Sequence, residues 1–144
     1  MKVGVPTEIK AQEARVGLTP SSVQELTNHG HEVIIQDKAG FGAGFDNSDY
    51  EKTGAKIAPS AGDVFNDADM IVKVKEPLSE EVNMLKENQI LFTYLHLSAA
   101  PDLTKGLVKS KSICIAYETV SDHNNKLPLL APMSAVAGRM SIQA

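Results

Sequence analysis

Arg15, Lys75, His96 and Glu118 are the residues of this chain whose types could act together on a small molecule. An arginine grips a carboxylate through two parallel N–H bonds, a lysine sets a point charge against a carboxylate or carbonyl oxygen, and a histidine exchanges a proton near neutral pH. Together they describe a pocket for a small oxo acid. Taken singly, each has a plainer reading, since a loop Arg or Lys is usually solvated surface and a lone His usually structural. Position is what joins them. Arg15 lies in the long stretch after Lys2 to Val5, Lys75 follows Met70 to Val74, His96 follows Ile90 to Leu95, and Glu118 follows Ser112 to Tyr117. Those runs are short and rich in β-branched residues, and in an open parallel sheet ligands bind beyond the carboxyl ends of the strands. On the residues alone, the reading is a small-anion pocket.

The elements that must position these groups alternate along the chain. With Glu32 to Gln36, the β-branched runs are the expected strands. Between them, Thr19 followed by Pro20 is an N-cap with proline at the first helical position, and Gly30 is a stop. Ser48 to Lys52 closed by Gly54, Ala61 to Ala68, Glu80 to Glu87 capped by Ser79, and Pro101 to Val108 read as further helices. Strand and helix in alternation argue an α/β fold, a parallel sheet flanked by helices and wound on both faces through right-handed crossovers. The runs at Ile71 and Ile113 are near-continuously apolar, as strands covered on both faces should be. Leu127 to Ala131 is a proline-containing loop, and Met133 to Ala144 reads as the start of a helix with no element after it.

With 144 residues, 42% of them hydrophobic and 22% charged, the chain can build the core of one globular domain. Its formal net charge of -4 supplies no basic field for phosphate backbones, so nucleic acid is not an expected partner. Met1 to Pro6 is not a signal peptide, no run reaches the roughly 18 apolar residues of a membrane helix, and the sole cysteine, Cys114, has no partner for an internal disulfide. The expected setting is cytoplasmic, with no membrane partner. Gly40 to Gly44 is glycine-rich, but Phe45 stands where a dinucleotide-binding turn needs its last glycine, so a surface turn is expected. His29, His31 and His123 read as solvated turn residues, Cys114 as core, and no metal site is expected. Tyr94 lies close enough to His96 to line a pocket wall.

The blocks MKVGVPTEIKAQEARVGLTP, IVKVKEP, ILFTYLHLSAAP, IAYETV and LPLLAPMSAVAGRMSIQA resemble, in order and across essentially the whole chain, the N-terminal domain family of alanine dehydrogenases and nicotinamide-nucleotide transhydrogenases. The alanine dehydrogenase side is the closer match, because transhydrogenases generally lack the lysine and histidine that stand here as Lys75 and His96. The resemblance implies that Arg15 and Lys75 hold the carboxylate and carbonyl oxygen of pyruvate and that His96 is the general acid/base. It puts Leu130, Met133 and Ser134 where the substrate domain faces the cofactor NAD, with Tyr94 on the cleft wall and Glu118 behind the site. Ala135 stands where many alanine dehydrogenases carry Glu.

The reaction so implied is reversible: L-alanine, NAD and water give pyruvate, ammonium and NADH. Residues 1–130 would form the substrate-binding domain and 131–144 the start of an interdomain helix. The glycine-rich domain that binds most of the NAD is expected to be absent from this chain, leaving the 144 residues inactive on their own. The intact enzyme is expected to be a homo-oligomer, a hexamer in this family. Two other readings remain open, a transhydrogenase subunit and a non-catalytic module that binds small carboxylates.

Overall fold

Val3, Val5, Val33, Ile35, Ile71 and Leu91 are all essentially excluded from solvent, and the strands that carry them pair side by side in parallel. The computed structural model describes residues 1–142. Its sheet is built from β1 (Lys2–Val5), β2 (Glu32–Gln36), β3 (Lys56–Ala58), β4 (Met70–Val72), β5 (Ile90–Thr93) and β6 (Ile113–Ala116). These form a six-stranded sheet in the order β3-β2-β1-β4-β5-β6. Every pairing is parallel, so each connection is a crossover through a covering layer. The order reverses between β1 and β4, and the crevice at such a switch point is where ligands of this architecture sit.

Strand alternation divides the core in two. Val33 and Ile35 face Val23 of α1 (Pro20–Asn28) and Tyr50 of α2 (Asn47–Glu51). Ile34, Ile71 and Leu91 face α3 (Ala61–Asp67), α4 (Ser79–Val82) and α5 (Pro101–Ser110) through Val64, Phe65, Val82 and Leu107. The doubly wound reading therefore holds. So does the N-cap at Thr19, whose hydroxyl accepts from the backbone N–H of Ser22. No helix among the described residues is long and apolar enough to cross a membrane.

The structure corrects the sequence reading in several places, among them the ends of β4 and β5, which stop two residues short of the expected Val74 and Leu95. Lys56–Ala58 adds an edge strand, β3, that the pattern did not disclose. The helix expected over Glu80 to Glu87 ends at Val82, and Ser79 is its first residue rather than its cap; the Leu78 N–H is satisfied instead by the Glu81 carboxylate at 2.9 Å. Beyond it, the Gln89 side chain takes the Lys86 N–H and Asn88 turns left-handed, so the helical ladder cannot continue. Finally, β6 is not covered on both faces. It is an edge strand, with Ile113 50% and Ile115 39% exposed, because α1 and α2 lie over the other half of that face. The last element, α6 (Ala131–Met140), starts two residues before the expected Met133 and is exposed along most of its length. Residues 143 and 144 of the expected helix lie outside the described residues.

Candidate functional site

The loop between β1 and α1 carries Arg15, and buried carboxylates fasten it to the end of β4. Glu8 Oε1 accepts the Val74 N–H at 2.6 Å and Glu8 Oε2 accepts from Lys73 Nζ at 3.2 Å. Lys73 Nζ lies 2.6 Å from Glu81 Oε1 as well, and the three side chains are no more than 2% exposed. Charges this deep persist only when paired, so the triad ties the Arg15 loop, β4 and α4 into one unit. An ion pair from Lys10 to Glu76 adds a second tie. Two glycines allow the close fit. A Cβ on Gly17 would sit 2.6 Å from the Val72 carbonyl oxygen, and one on Gly42 would sit 2.8 Å from that of Ala14. Within the Gly40 to Gly44 turn, Gly42 thus backs the Arg15 loop.

Arg15 is gripped by Glu13. Its Nε donates to Glu13 Oε1 at 2.8 Å, one Nη donates to Oε2 at 2.6 Å, and its backbone N–H reaches Oε1 at 2.9 Å. The Arg15 guanidinium, through these hydrogen bonds first and against the effect of burial, holds the Glu13 carboxyl down at about 2, with smaller help from the charge of Lys75. Lys75 is therefore close enough for its charge to reach Glu13. Among the described residues its ammonium has no hydrogen bond or ion pair, while its carbonyl is held by the Thr93 hydroxyl at 2.8 Å.

Arg15 lines a cavity of about 310 Å³ together with Gly17, Phe92, Tyr94, Tyr117 and Met133. Phe92, Tyr117 and Tyr94 meet edge to face, with centroids 4.3 and 5.0 Å apart, and form a stiff apolar wall. The Tyr94 hydroxyl donates to the Leu129 carbonyl at 2.6 Å and lies 2.9 Å from Met133 Sδ, so the first turn of α6 is docked on the rim of the cavity. Burial, and then the charge of Glu118, push the Tyr94 phenol up against the opposite pull of Arg15. Burial raises Tyr117 further. A larger groove of about 470 Å³ opens between α4 and α5. Its lining holds no arginine, histidine or tyrosine.

His96 lies beside the Arg15 cavity, next to its Tyr94 wall, without lining it. Its ring stacks on Tyr94 with centroids 6.1 Å apart and planes 15° from parallel. Its backbone is left-handed, φ 47° and ψ 40°, a conformation that costs a non-glycine residue roughly 1–2 kcal/mol. Glu118 stabilises it, accepting the His96 N–H at 2.8 Å and the Leu95 N–H at 3.2 and 3.3 Å. Burial tends to raise the Glu118 carboxyl, but these backbone donors and the nearby imidazole outweigh it and hold the group below its ordinary value.

Of the residues singled out in the sequence, Arg15, Tyr94 and Met133 converge on one cavity, with His96 stacked at its edge and Glu118 behind it. Lys75, in the loop beyond β4, does not line that cavity, although its charge helps to hold the Glu13 carboxyl low. Leu129 lines the cavity, whereas Leu130 is the residue capping α6 and Ser134 is exposed on its first turn. Glu8 and Glu13 were not singled out. The Glu13-x-Arg15 spacing could have disclosed the second, because residues two apart in an extended loop point the same way; nothing in the sequence discloses the pairing of Glu8 with Lys73.

The family described as alanine dehydrogenase/PNT, N-terminal domain, matches residues 4–137. Among curated proteins, the chain is 55% identical over 144 residues to an alanine dehydrogenase of Halomonas elongata, covering all of this chain and 39% of the relative. It is 53% identical over 143 residues to one of Staphylococcus epidermidis, covering 99% of this chain and 38% of the relative. The chain thus spans well under half the length of these relatives. A solved L-alanine dehydrogenase superposes with a TM-score of 0.94 at 54% identity, over 99% of this chain and 39% of that one. A transhydrogenase from Sinorhizobium meliloti superposes at 0.77 with 24% identity, over 82% of this chain and 35% of that one, a likeness of fold. With a match that runs through the Arg15 loop, the Lys75 and His96 segments and the first turns of α6, the chain belongs to the alanine dehydrogenase/PNT N-terminal domain family.

Proposed function

We propose that residues 1–130 are the substrate-binding domain of an NAD-dependent L-alanine dehydrogenase, with 131–144 beginning the connection to a cofactor domain. The observation that carries this reading is the convergence of Arg15, Tyr94 and Met133 on one cavity with His96 stacked on Tyr94 beside it. Arg15 has one prong that makes no hydrogen bond among the described residues, and this prong binds the carboxylate of pyruvate or L-alanine. Lys75, whose ammonium has no hydrogen bond or ion pair among the described residues, sets its charge against the carbonyl oxygen. Fixed at both ends, the acid presents its Cα to the open side of the cavity, and this positioning is the main contribution of the chain.

NAD would supply the acceptor for the hydride that leaves Cα. Two features of this chain fit it: the Met133 thioether at the cavity rim offers an apolar contact to a nicotinamide edge, and the exposed Ser134 hydroxyl beside it suits a phosphate. Leu130, one residue before α6, would flank them. Gly42, backed by Ala14, makes the Gly40 to Gly44 turn a poor fit for a pyrophosphate, and we assign most of the cofactor to a part of the protein beyond this chain. His96 takes a proton from the water that adds at Cα in the oxidative direction and returns it in the reductive one. With ammonium released and the carbonyl restored, L-alanine, NAD and water are balanced by pyruvate, ammonium, NADH and a proton. A cytoplasmic homo-oligomer, a hexamer as in the family at large, is the form we propose for the intact enzyme.

Lys75 and His96 favour this reading over transhydrogenation. Initial rates on the full-length protein test it. NADH oxidation that needs both pyruvate and ammonium is expected. Hydride exchange between NADH and an oxidised nicotinamide analogue, with no response to pyruvate, would overturn it.

A further inference from the structure

We infer that Glu13 is a positioning residue for the substrate carboxylate, acting only through Arg15; this rests on the reading of Arg15 as the carboxylate holder. A long arginine side chain on a loop ordinarily samples many rotamers, and a carboxylate arriving from solvent would have to order it. Here it is already ordered. Glu13 engages the Nε edge of the guanidinium at 2.8 and 2.6 Å, and the backbone N–H of Arg15 at 2.9 Å closes the grip at the other end. The Glu13 side chain is only 7% exposed, whereas that of Arg15 is 49% exposed, so the carboxylate belongs to the protein and the guanidinium to the cavity. Ala14, between them, rests against Gly42, which fixes the loop from behind.

The grip has a geometric consequence. Of the two edges of the guanidinium, Glu13 consumes the one that includes Nε and leaves the edge with the unbonded Nη for an incoming acid. The carboxylate of Glu13 therefore does not compete with substrate for the same hydrogen bonds. It selects which edge substrate can use. Because Glu13 stays ionised to far below neutral pH, the selection is permanent under ordinary conditions.

The test is a double-mutant cycle on the full-length protein, with NADH and ammonium saturating and pyruvate varied. Glu13→Gln keeps the volume and one acceptor but turns an N–H toward the guanidinium. KM for pyruvate is expected to rise about tenfold with kcat within about twofold. Glu13→Asp, with the charge but a shorter reach, should fall between. In an Arg15→Met background, where KM is already raised, adding Glu13→Gln should change KM by less than about twofold. On the 144-residue chain, the Arg15 Nε–H signal should be protected from exchange and lose that protection in Glu13→Gln. A normal or lowered KM in Glu13→Gln, or equal effects in both backgrounds, would overturn the role of Glu13. If Arg15→Met alone left KM unchanged, the assignment of Arg15 would fall instead, so the two failures are distinguishable.

Discussion

Replacing Glu118 with Gln removes one charge and leaves the shape of the side chain, and its cost can be worked from the bonds it makes. The carboxylate accepts the N–H groups of Leu95 and His96, the latter at 2.8 Å. A hydrogen bond to a charged group contributes about 1.5–3 kcal/mol and a neutral one about 0.5–1.5, so losing the charge costs roughly 1–1.5 kcal/mol per bond. Two donors set an upper figure near 3 kcal/mol, and the half-exposed setting of Glu118 brings it toward about 1–2. For a domain of this size, that lowers Tm by about 3–8 °C. The loss also has a pH signature. Because the folded state holds the Glu118 carboxyl below its unfolded value, the stabilisation is complete above about pH 4.3 and disappears as pH falls through the lower folded value. Thermal melts of both proteins by circular dichroism from pH 7 to pH 3 are the assay. The gap in Tm should be full at pH 7 and should narrow below pH 4. In the full-length protein, loosening the left-handed turn at His96 should lower kcat about tenfold with little change in KM. A gap in Tm that is the same at pH 3 and pH 7, or absent at both, would refute the reasoning.

Three further outcomes follow from the same geometry. Arg15→Lys should lower kcat/KM for pyruvate by a loss of roughly 1.5–3 kcal/mol, because an ammonium cannot both satisfy Glu13 and fork onto the acid; unchanged kcat/KM would remove Arg15 from the site. His96→Asn should lower kcat about 100- to 10,000-fold while pyruvate binding stays measurable, and a near-normal kcat with an unaltered pH profile would make His96 structural. Gly17→Ala places a Cβ 2.6 Å from the Val72 carbonyl oxygen, so about 1–3 kcal/mol of stability should be lost in urea titrations and KM should rise as the Arg15 loop is displaced; a wild-type midpoint would show that the loop lifts freely.

What could be read in the sequence was whatever a local rule governs. The cap at Thr19 with Pro20, the turn before β2 and the order of strands and helices are written in neighbouring residues, and the four charged positions followed from placing strand ends. The misses have tertiary causes. Lys56–Ala58 is too short to show a period, and it is a strand only because Ile34, Ile35 and Gln36 lie beside it. The residues after Val82 have the charge pattern of a helix, but Gln89 captures the Lys86 N–H and the Lys86 ammonium bonds to Asn66, contacts that periodicity does not encode. Ile113 and Ile115 look like a buried strand because their composition records what the strand prefers, not which of its faces a helix reaches. In the site, Arg15 and His96 were legible by residue type. Their supports were not: Glu8 reaches Lys73 and Val74 across more than sixty residues of chain, and Glu118 acts on backbone N–H groups that no side-chain pattern marks.

The arrangement of acid, arginine and histidine is tested most directly by a crystal structure of the full-length protein with pyruvate bound. The expected result is a carboxylate oxygen within about 3.2 Å of the free Nη of Arg15 with Glu13 still on the other edge, the carbonyl oxygen on Lys75, and the His96 ring beside Cα. Pyruvate bound elsewhere, or in the cavity with no contact to Arg15 or Lys75, would contradict it.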